Sequence, residues 1–433
     1  MTSRPRVAVI GAGWSGLAAA VALAERTEVC LIEAAPQVGG RARRVSVDGE
    51  SLDNGQHILL GAYRDTLAAV TRVGGDVREL FLRLPLELHF PGHVHLRAPR
   101  HGPAPLNIAV ALACAGGLGW RDKWCMARLA ASLVLREPPP DMSVSSWLAA
   151  HAQTERARSF VWEPLCVAAL NTQASQASAR VFARVICDAL LRRRTDSDLL
   201  IPRRDLSCVF PDLALAYLVA RGGMVRTRAL VRGISATERS IKLRLDGEEQ
   251  EFDAAICALP PYAAAAMLRE SAFAADLCSS LDAYDYEPII TCYLWYPPGT
   301  RLPSPMIGLV DALSQWAFDR GSLGGTPGLI AVVVSAAARL REMPGDALAE
   351  AIDAELRGAF PGLPRPLRSR VITDKRATFR CTPELPAPIG RLSVAPLYFA
   401  GDHMIPGYPA TLESAVRSGF SAASALLAKL VSC

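Results

Sequence analysis

Near its beginning the sequence reads Val7-Ala8-Val9-Ile10-Gly11-Ala12-Gly13-Trp14-Ser15-Gly16, and a second apolar run, Val29-Cys30-Leu31-Ile32, ends on Glu33. This order of patterns predicts a βαβ unit that binds a dinucleotide: an apolar run, G-x-G-x-x-G, an apolar helical pattern, and a second apolar run that ends in an acidic residue. In that unit the glycines allow a tight turn, backbone approach to a pyrophosphate and close helix packing, and the helix amides attract phosphate. The alternative is a Gly-rich turn in an ordinary βαβ unit. We assign cofactor binding to Gly11, Gly13, Ser15, Gly16 and Glu33, with Glu33 on the ribose hydroxyls.

The residues after Glu33 indicate which dinucleotide is bound. They form E-x(5)-G-G-R-A, in which Gly39 and Gly40 precede Arg41. A glycine pair lets the backbone lie close to phosphate, and a guanidinium neutralises its charge. The segment resembles one found in flavoproteins of the amine-oxidase and carotenoid-desaturase type, in which the two glycines skirt the pyrophosphate of FAD and the arginine faces it. The resemblance implies FAD as the cofactor.

Length and composition limit the classes of protein to which this chain can belong. A chain of 433 residues suits two domains, and 51% of it is hydrophobic, which is high beside 21% charged residues. The formal charge of +5 is mild and its basic residues are scattered among acids, so no nucleic-acid partner is expected. Eleven cysteines without a C-x-x-C pair favour reduced, buried thiols over disulfides or zinc.

The order of elements predicts an α/β fold: a Rossmann-type FAD-binding domain, like that of glutathione reductase and amine oxidases, with an interleaved α+β substrate domain. Buried strands and helices with Gly-rich turns surround a long block of apolar helices. We assign residues 1–84, 205–270 and 371–433 to a discontinuous FAD-binding domain, and residues 85–204 and 271–370 to a substrate domain that contains the apolar helical block.

Resemblance to the same flavoproteins matches further segments to the cofactor. Asp53-Asn54-Gly55-Gln56-His57 passes along the isoalloxazine ring, and a C-terminal strand and helix complete the site. A helix dipole there stabilises the negative charge of reduced flavin. The residues so matched are Gly55, Gln56 and His57 at the ring, Val231 at adenine, Gly401 and Asp402 at the ribitol, and Thr411 and Leu412 with amides at the N1/C2=O edge.

Two polar clusters allow more than one interpretation. His89, His93, His95 and His101 lie on or near a predicted hairpin, but no cysteine or carboxylate in the sequence pattern completes a ligand set, so no metal is expected. Asn171 follows an apolar run and is either a helix cap or a substrate-facing group, and the cap is favoured.

Four segments together narrow the resemblance: GGRA, DNGQHILLGAY, WEPLCVAALNTQ and AGDHMIPGYPATLESAVRSG. The chain resembles hydroxysqualene dehydroxylases, which implies FAD-dependent replacement of the hydroxyl of hydroxysqualene by hydride, giving squalene for hopanoid synthesis. The resemblance also implies a C30 isoprenoid substrate, NAD(P)H as external reductant and an upstream hydroxysqualene synthase as partner. Candidates for the proton donor are His57, His403 and Tyr408. Two alternatives stay open: an FAD-dependent terpenoid or carotenoid desaturase or isomerase, and a non-catalytic prenyl-lipid-binding protein.

The apolar helical block indicates where in the cell the protein is located. No run of about 18 apolar residues predicts a spanning helix, and the apolar run after the basic N-terminus belongs to the dinucleotide unit rather than to a signal peptide. The stretch at 106–120, followed by Arg121, Lys123 and Arg128, suits an anionic lipid surface. We therefore expect a cytoplasmic protein that binds the membrane peripherally.

Overall fold

A five-stranded parallel sheet forms the centre of the first half of the molecule in the computed structural model, which describes residues 4–271, 274–310, 312–388 and 396–431. The first three residues of the N-terminal segment and Cys433 lie outside the described residues. The strands are continuous apolar runs, because both faces of such a sheet are covered. In spatial order they are Met224–Arg226, Glu28–Ile32, Arg6–Ile10, Ala254–Cys257 and Leu397–Phe399.

Each face of this parallel sheet has its own core. Val7 and Val9 point to one face, which is covered by helices, whereas Ala8 and Ile10 point to the other. The first face carries the helices Trp14–Leu23, Pro211–Val219 and Leu412–Val431; the second carries the antiparallel strands Gly233–Ala236, Ile241–Leu245 and Glu248–Phe252 and the helices Pro261–Leu268 and Ala275–Asp282. The Rossmann-type α/β fold predicted from the sequence is confirmed.

A second sheet, in which every strand pair is antiparallel, forms the centre of the other half. Its strands, in spatial order, are Met306–Gly308, Trp316–Asp319, Leu329–Val334, Tyr286–Trp295 and Arg368–Phe379, and the helix Gly345–Ala359 covers one face. The sequence analysis had placed residues 371–379 in the cofactor domain. They instead belong to this sheet, because their backbone pairs in register with Tyr286–Trp295.

The predicted apolar helical block covers the other face of the antiparallel sheet. Its helices are Leu106–Cys114, Trp120–Leu135, Val144–Ala150, Glu155–Ala157, Glu163–Leu170 and Ala179–Ile186, with single π-turns at Arg158–Trp162 and Cys187–Leu191. Asn171 ends the fifth of these helices with φ of 47°, and its side chain donates to Glu287 O and Thr378 Oγ1. The helix-cap interpretation of Asn171 is therefore confirmed. Within the described ranges, no helix meets the length and hydropathy needed to cross a membrane.

Smaller elements connect the two halves. Two hairpins are present: Arg44–Val47 pairs with Glu50–Asp53, and Glu87–Phe90 pairs with Val94–Arg97, as predicted around His89 and His95. A three-stranded sheet combines Leu59–Leu60, Leu199–Pro202 and Phe81–Leu84. The remaining helices are Arg64–Arg72, Val77–Leu80 and Leu206–Val209, and 3₁₀ turns lie at Arg194–Ser197, Gly321–Leu323, Ala337–Leu340 and Asp402–Met404. The ten cysteines in the described ranges are all free thiols.

Candidate functional site

The turn after the first strand has the geometry of a dinucleotide cradle. Gly11 has φ of 97°, and a Cβ there would lie 2.9 Å from Ala258 O; a Cβ on Gly16 would overlap Gly11 O. These two glycines are therefore required by the packing of the protein itself. Gly13 is different, because a Cβ there would meet within 4 Å only Gly40 Cα, at 3.9 Å. Space is open beside Gly13, at the N-terminus of the helix Trp14–Leu23, where helix amides attract phosphate.

The second glycine pair packs on this turn through its backbone. Gly39 and Gly40 have φ of 110° and 61°, and Gly39 N–H donates to Ala12 O over 2.8 Å. A Cβ on Gly40 would lie 2.9 Å from Gly13 Cα. A side chain at Gly40 would therefore push the two loops apart, and one at Gly39 would lie 2.8 Å from Arg43 Cβ. This explains physically why the sequence has a glycine pair here.

Glu33 is fixed by the loops that it joins. Its two carboxylate oxygens accept from Ala12 N–H at 2.7 Å and Ala35 N–H at 2.8 Å. Each oxygen has a further lone pair, so the half-exposed carboxylate can also accept from the ribose hydroxyls that the sequence analysis assigned to it. The segment predicted to contact adenine is close to Glu33. Ala229 N–H donates to Glu33 O, and Val231, two residues later, is buried.

Arg41 and Asp402 form an ion pair. Arg41 Nη2 lies 2.6 Å from Asp402 Oδ2, and Arg41 Nη1 donates to Ala377 O over 2.9 Å. Burial alone would raise the pKa of Asp402, but the Arg41 charge holds that pKa well below its usual value. The carboxylate therefore stays ionised and can accept from hydroxyl groups. The predicted roles of Arg41 at the pyrophosphate and of Asp402 at the ribitol stay predictions.

Two buried polar atoms beside this ion pair, Tyr286 Oη and His403 Nδ1, have no hydrogen-bond partner among the described residues. A third such atom, Arg43 Nε, belongs to a side chain that bonds to the glycine pair. Orphaned polar atoms are costly to bury, so a polar ligand that reaches them would offset this cost. Arg43 Nη1 donates to Gly40 O, and both Arg41 and Asp402 are close enough to perturb Tyr286 electrostatically. A pyrophosphate and a polyhydroxylated chain suit these donors, so the site fits FAD.

The segment assigned to the flavin ring is held from both halves of the molecule. Gln56 N–H donates to Thr291 Oγ1 over 3.3 Å, and Tyr293 Oη donates to Asp53 O over 2.9 Å; Thr291 and Tyr293 both belong to the antiparallel sheet. From the other side, Asp53 Oδ1 accepts from Leu206 N–H over 2.7 Å. Burial raises the pKa of Asp53 to about 7. Hydrogen bonds from both halves therefore hold this segment in place.

His57 has a defined tautomer when it is neutral. Its Nδ1 lies 2.6 Å from Gly55 O, and because a carbonyl only accepts, Nδ1 carries the proton. The other nitrogen, Nε2, then has a free lone pair. Burial lowers the pKa of His57, which keeps the ring neutral at pH 7 and makes its protonated form a stronger acid.

The two other proton-donor candidates lie in different surroundings. His403 is buried, with Nδ1 3.7 Å from Asp402 Oδ1, which is too long for a hydrogen bond, and its ring contacts Tyr284 edge-on. Tyr408 is half-buried between the guanidinium groups of Arg184 and Arg417, 5.6 and 5.3 Å from its ring centre. Both arginines are on the solvent side of their helices. His403 therefore neighbours the predicted ribitol contact, and Tyr408 neighbours a cationic surface.

The C-terminal helix begins at the predicted flavin edge. Thr411 Oγ1 caps it by accepting from Ser414 N–H over 3.1 Å, and helix amides at this point have no carbonyl partner within the helix. Glu413 is a residue that the sequence analysis missed. Its carboxylate accepts from Asp65 N–H, Thr66 N–H and Thr66 Oγ1, at 2.8 to 3.0 Å. It therefore joins the predicted flavin edge to the helix Arg64–Arg72, a contact that no local pattern reveals.

Half-exposed apolar side chains occur in the ring segment, the antiparallel sheet and the helical block. In the ring segment and at the C-terminal helix they are Ile58, next to His57, and Ala410, next to Thr411. Elsewhere they are Ile289, Tyr286 and Met306 from the antiparallel sheet, and Phe160 and Leu165 from the helical block. All of them pack against one continuous core, so an apolar surface borders the predicted ring position.

Comparison with known proteins agrees with this geometry. The model of the family described as flavin containing amine oxidoreductase matches residues 14–427. The chain is 29% identical to the hydroxysqualene dehydroxylase of Rhodopseudomonas palustris, with 98% of each chain covered, and 28% identical to that of Zymomonas mobilis, with 97% of this chain and 98% of the relative covered.

Other similarities are more distant. A probable zeta-carotene desaturase of Synechococcus elongatus is 25% identical, over 54% of this chain and 52% of the relative. Among solved structures, an oxidoreductase from Methanosarcina mazei superposes with a TM-score of 0.74 at 19% identity, covering 96% of this chain and 99% of that one. At that identity the superposition shows the fold alone.

Proposed function

The chain belongs to the family of flavin-containing amine oxidoreductases, and on that premise we propose that this FAD-dependent oxidoreductase acts on hydroxysqualene and converts it to squalene. The observation that carries the proposal is the similarity to hydroxysqualene dehydroxylases over 97 to 98% of the chain. The zeta-carotene desaturase relative covers only about half of it, and a phytoene desaturase relative that covers 97% of it is only 23% identical. The half-exposed apolar side chains beside His57 and Thr411 support a C30 isoprenoid substrate, because they offer it a water-poor surface.

The reaction exchanges a C–O bond for a C–H bond. The hydroxyl leaves as water once it has received a proton, and bound FAD in its reduced state supplies the hydride that the substrate carbon accepts. The protein must donate that proton and keep water from the resulting allylic cation. The reduced state requires electrons from outside; we assign these to NAD(P)H, which binds transiently, because the sequence contains one dinucleotide fingerprint and FAD uses it.

Among the proton-donor candidates, we assign the role to His57. Its Nδ1 is committed to Gly55 O, which leaves Nε2 for the substrate hydroxyl. In its protonated form, the lowered pKa makes Nε2–H a strong donor. His403 and Tyr408 are the alternatives, and their surroundings favour cofactor contact and surface contact instead.

We also place the protein at the cytoplasmic face of the membrane, where an upstream hydroxysqualene synthase would deliver the substrate. Five of the eleven strongly exposed large apolar side chains in the described residues lie on two consecutive helices: Leu106, Val110, Trp120, Trp124 and Leu135. Trp120 and Trp124 are 81% and 64% exposed and four residues apart, so they share a helix face. Exposed Arg121 and Arg128 on the same helix match anionic headgroups. We call this surface the tryptophan face.

A single turnover without oxygen tests the proposed reaction. Photoreduced enzyme mixed with hydroxysqualene should form squalene while its flavin absorbance returns, and squalene should carry label when the enzyme has been reduced with a deuterium source. Oxidised enzyme mixed with squalene serves as the control. If that control instead yields a more unsaturated product, the enzyme is a desaturase, and if neither mixture changes while terpene still binds, the lipid-binding alternative is correct.

A further inference from the structure

The hairpin of Glu87–Phe90 and Val94–Arg97 has one apolar face and one face that carries metal-binding side chains. Leu88, Phe90, Val94 and Leu96 are all buried in the core below it. Because side chains alternate along a strand, the residues between them point outward. These outward residues are Glu87, His89, His95 and Arg97, so a carboxylate joins two of the histidines that the sequence pattern had left without one.

The register of the hairpin places the imidazoles of His89 and His95 next to each other, with their planes tilted by 37°. His89 pairs directly with His95. The backbone N–H and C=O of His95 both bond to Gly116, on the side away from the first strand. His89 and His95 are therefore a non-hydrogen-bonded pair, the type with side chains closest together. Their ring centroids are 4.7 Å apart.

Glu87 completes the cluster from the same strand face. Its Oε1 lies 2.8 Å from His95 Nε2, and one ligand atom from each of Glu87, His89 and His95 lies within 4.8 Å of the other two. Ligands of a tetrahedral Zn²⁺ at about 2.0–2.2 Å from the ion lie about 3.3 Å apart, which small rotations of these side chains reach.

The hairpin is also held rigidly, which favours a preformed site. Arg156 Nη2 donates to His93 O over 3.0 Å, and Arg156 Nε donates to Gly117 O. A Cβ on Gly117 would overlap His93 O, so the turn at 116–117 packs directly on the hairpin. His93 itself stacks on Phe160 and points away from the cluster.

We propose that Glu87, His89 and His95 bind a divalent transition metal of the zinc type, with water in the fourth position. Two imidazoles and one carboxylate form a ligand set that this class of ion prefers. Arg97, whose Nε is 3.9 Å from Glu87 Oε2, is a cation beside the cluster and must turn outward when the ion binds. The turn at 116–117 packs on this hairpin and joins the helices of the tryptophan face, so the bound ion would stiffen the hairpin against which that turn packs.

Metal titration of the holoenzyme tests this site. After treatment with a chelator, protein in a Cys114→Ser background, which removes the exposed thiol, is titrated with Zn²⁺ by calorimetry and with Co²⁺ by visible absorption at wavelengths longer than those of flavin. We expect one equivalent to bind with a tetrahedral Co²⁺ spectrum, and the melting temperature to rise with Zn²⁺.

The matched variants are His89→Ala, Glu87→Gln and, as control, His101→Ala, an exposed histidine of the same region outside the cluster. Loss of a ligand should weaken binding by at least the roughly 10–100-fold that loss of an outer-shell partner causes, whereas the control should bind like the parent protein. Flavin absorbance verifies folding of each variant. Equal binding by parent and His89→Ala protein, or no binding by the parent, would overturn the proposal.

Discussion

Arg41 and Asp402, 361 residues apart in the sequence, lie 2.6 Å from each other at their guanidinium and carboxylate atoms. One residue follows the glycine pair near the N-terminus, and the other begins the 3₁₀ turn that follows the strand Leu397–Phe399 of the parallel sheet. The ion pair therefore closes the predicted cofactor site between the two ends of the chain. Orphaned polar atoms of Tyr286 and His403 lie beside it.

Replacing Asp402 by Asn should destabilise the protein and weaken FAD binding. The change leaves the Arg41 guanidinium without its charge partner, and an unsatisfied charged group costs about 1–3 kcal/mol; we expect the low end because 33% of the Arg41 side chain is exposed. Chemical denaturation of apoprotein and flavin titration measure the two effects. The matched control is Glu270→Gln, which breaks the exposed pair with Arg244 and should cost less than about 1 kcal/mol.

The same pair predicts a pH dependence. The folded pKa of Asp402 is lowered, so its stabilising contribution is present above the unfolded pKa of about 3.9 and is lost as the pH falls through the lower folded value. The stability difference between parent and Asp402→Asn protein should thus be constant between about pH 5 and 8 and shrink in strong acid. A difference that shrinks already near pH 6 would contradict the assigned ion pair.

Replacing Gly13 by Leu should give colourless protein that still folds. The side chain enters the open space beside Gly40, where the pyrophosphate is assigned, and meets little protein there. Flavin absorbance per mole of protein measures the loss, and far-ultraviolet circular dichroism measures folding. Gly358→Leu is the control, because a Cβ at Gly358 meets nothing within 4 Å and lies far from the glycine turns in sequence. Full flavin content in Gly13→Leu protein would refute the assigned pyrophosphate position.

Through His57, we expect a fall in pH to have opposite effects on the dehydroxylation rate and on the stability of the folded protein. Because burial lowers its folded pKa below the ordinary 6.5, the unfolded state binds more protons as the pH falls below that value, so stability decreases. The dehydroxylation rate should rise over the same range, because the protonated ring is the donor. His57→Gln should remove both trends and lower the rate by about 10²–10⁴-fold. An unchanged pH–rate profile in that variant would transfer the role to His403 or Tyr408.

Membrane binding should depend on the tryptophan face. Wild-type protein should float with vesicles that contain phosphatidylglycerol at low salt, whereas Trp120→Ser/Trp124→Ser protein should stay at the bottom of the gradient. The control is Val219→Ser/Leu367→Ser, which removes two strongly exposed apolar side chains elsewhere on the surface. If the control loses binding equally, or wild-type protein never floats, the docking surface is wrong.

The sequence predicts those parts of the site whose chemistry is local. Gly11, Gly13, Gly16 and Glu33 lie within one βαβ unit, so their spacing alone predicts the turn that the structure contains. The contact of Glu413 with Thr66 and the ion pair of Arg41 with Asp402 join distant segments, and no periodicity encodes them. Glu87 escaped notice for a related reason: its approach to His95 depends on the hairpin register, which places residues from two strands on one face.

The boundary at residue 371 shows a different limit. Residues 371–379 show only a weak apolar strand pattern, because their strand lies at the edge of the antiparallel sheet and many of its side chains are exposed. Only pairing with Tyr286–Trp295 assigns them to that sheet. Edge strands of this kind have little hydrophobic signal to read from sequence.

A close contact near the start of the chain has a consequence for the order of folding. A Cβ on Gly419 would overlap Ser15 O, so the C-terminal helix rests directly on the first helix, and the strand Leu397–Phe399 supplies one edge of the parallel sheet. During synthesis the first βαβ unit leaves the ribosome long before these partners exist. Its apolar surface then has to be shielded, by chaperones or by provisional contacts, until almost the whole polypeptide has emerged. FAD can therefore be captured only as one of the last steps of biogenesis.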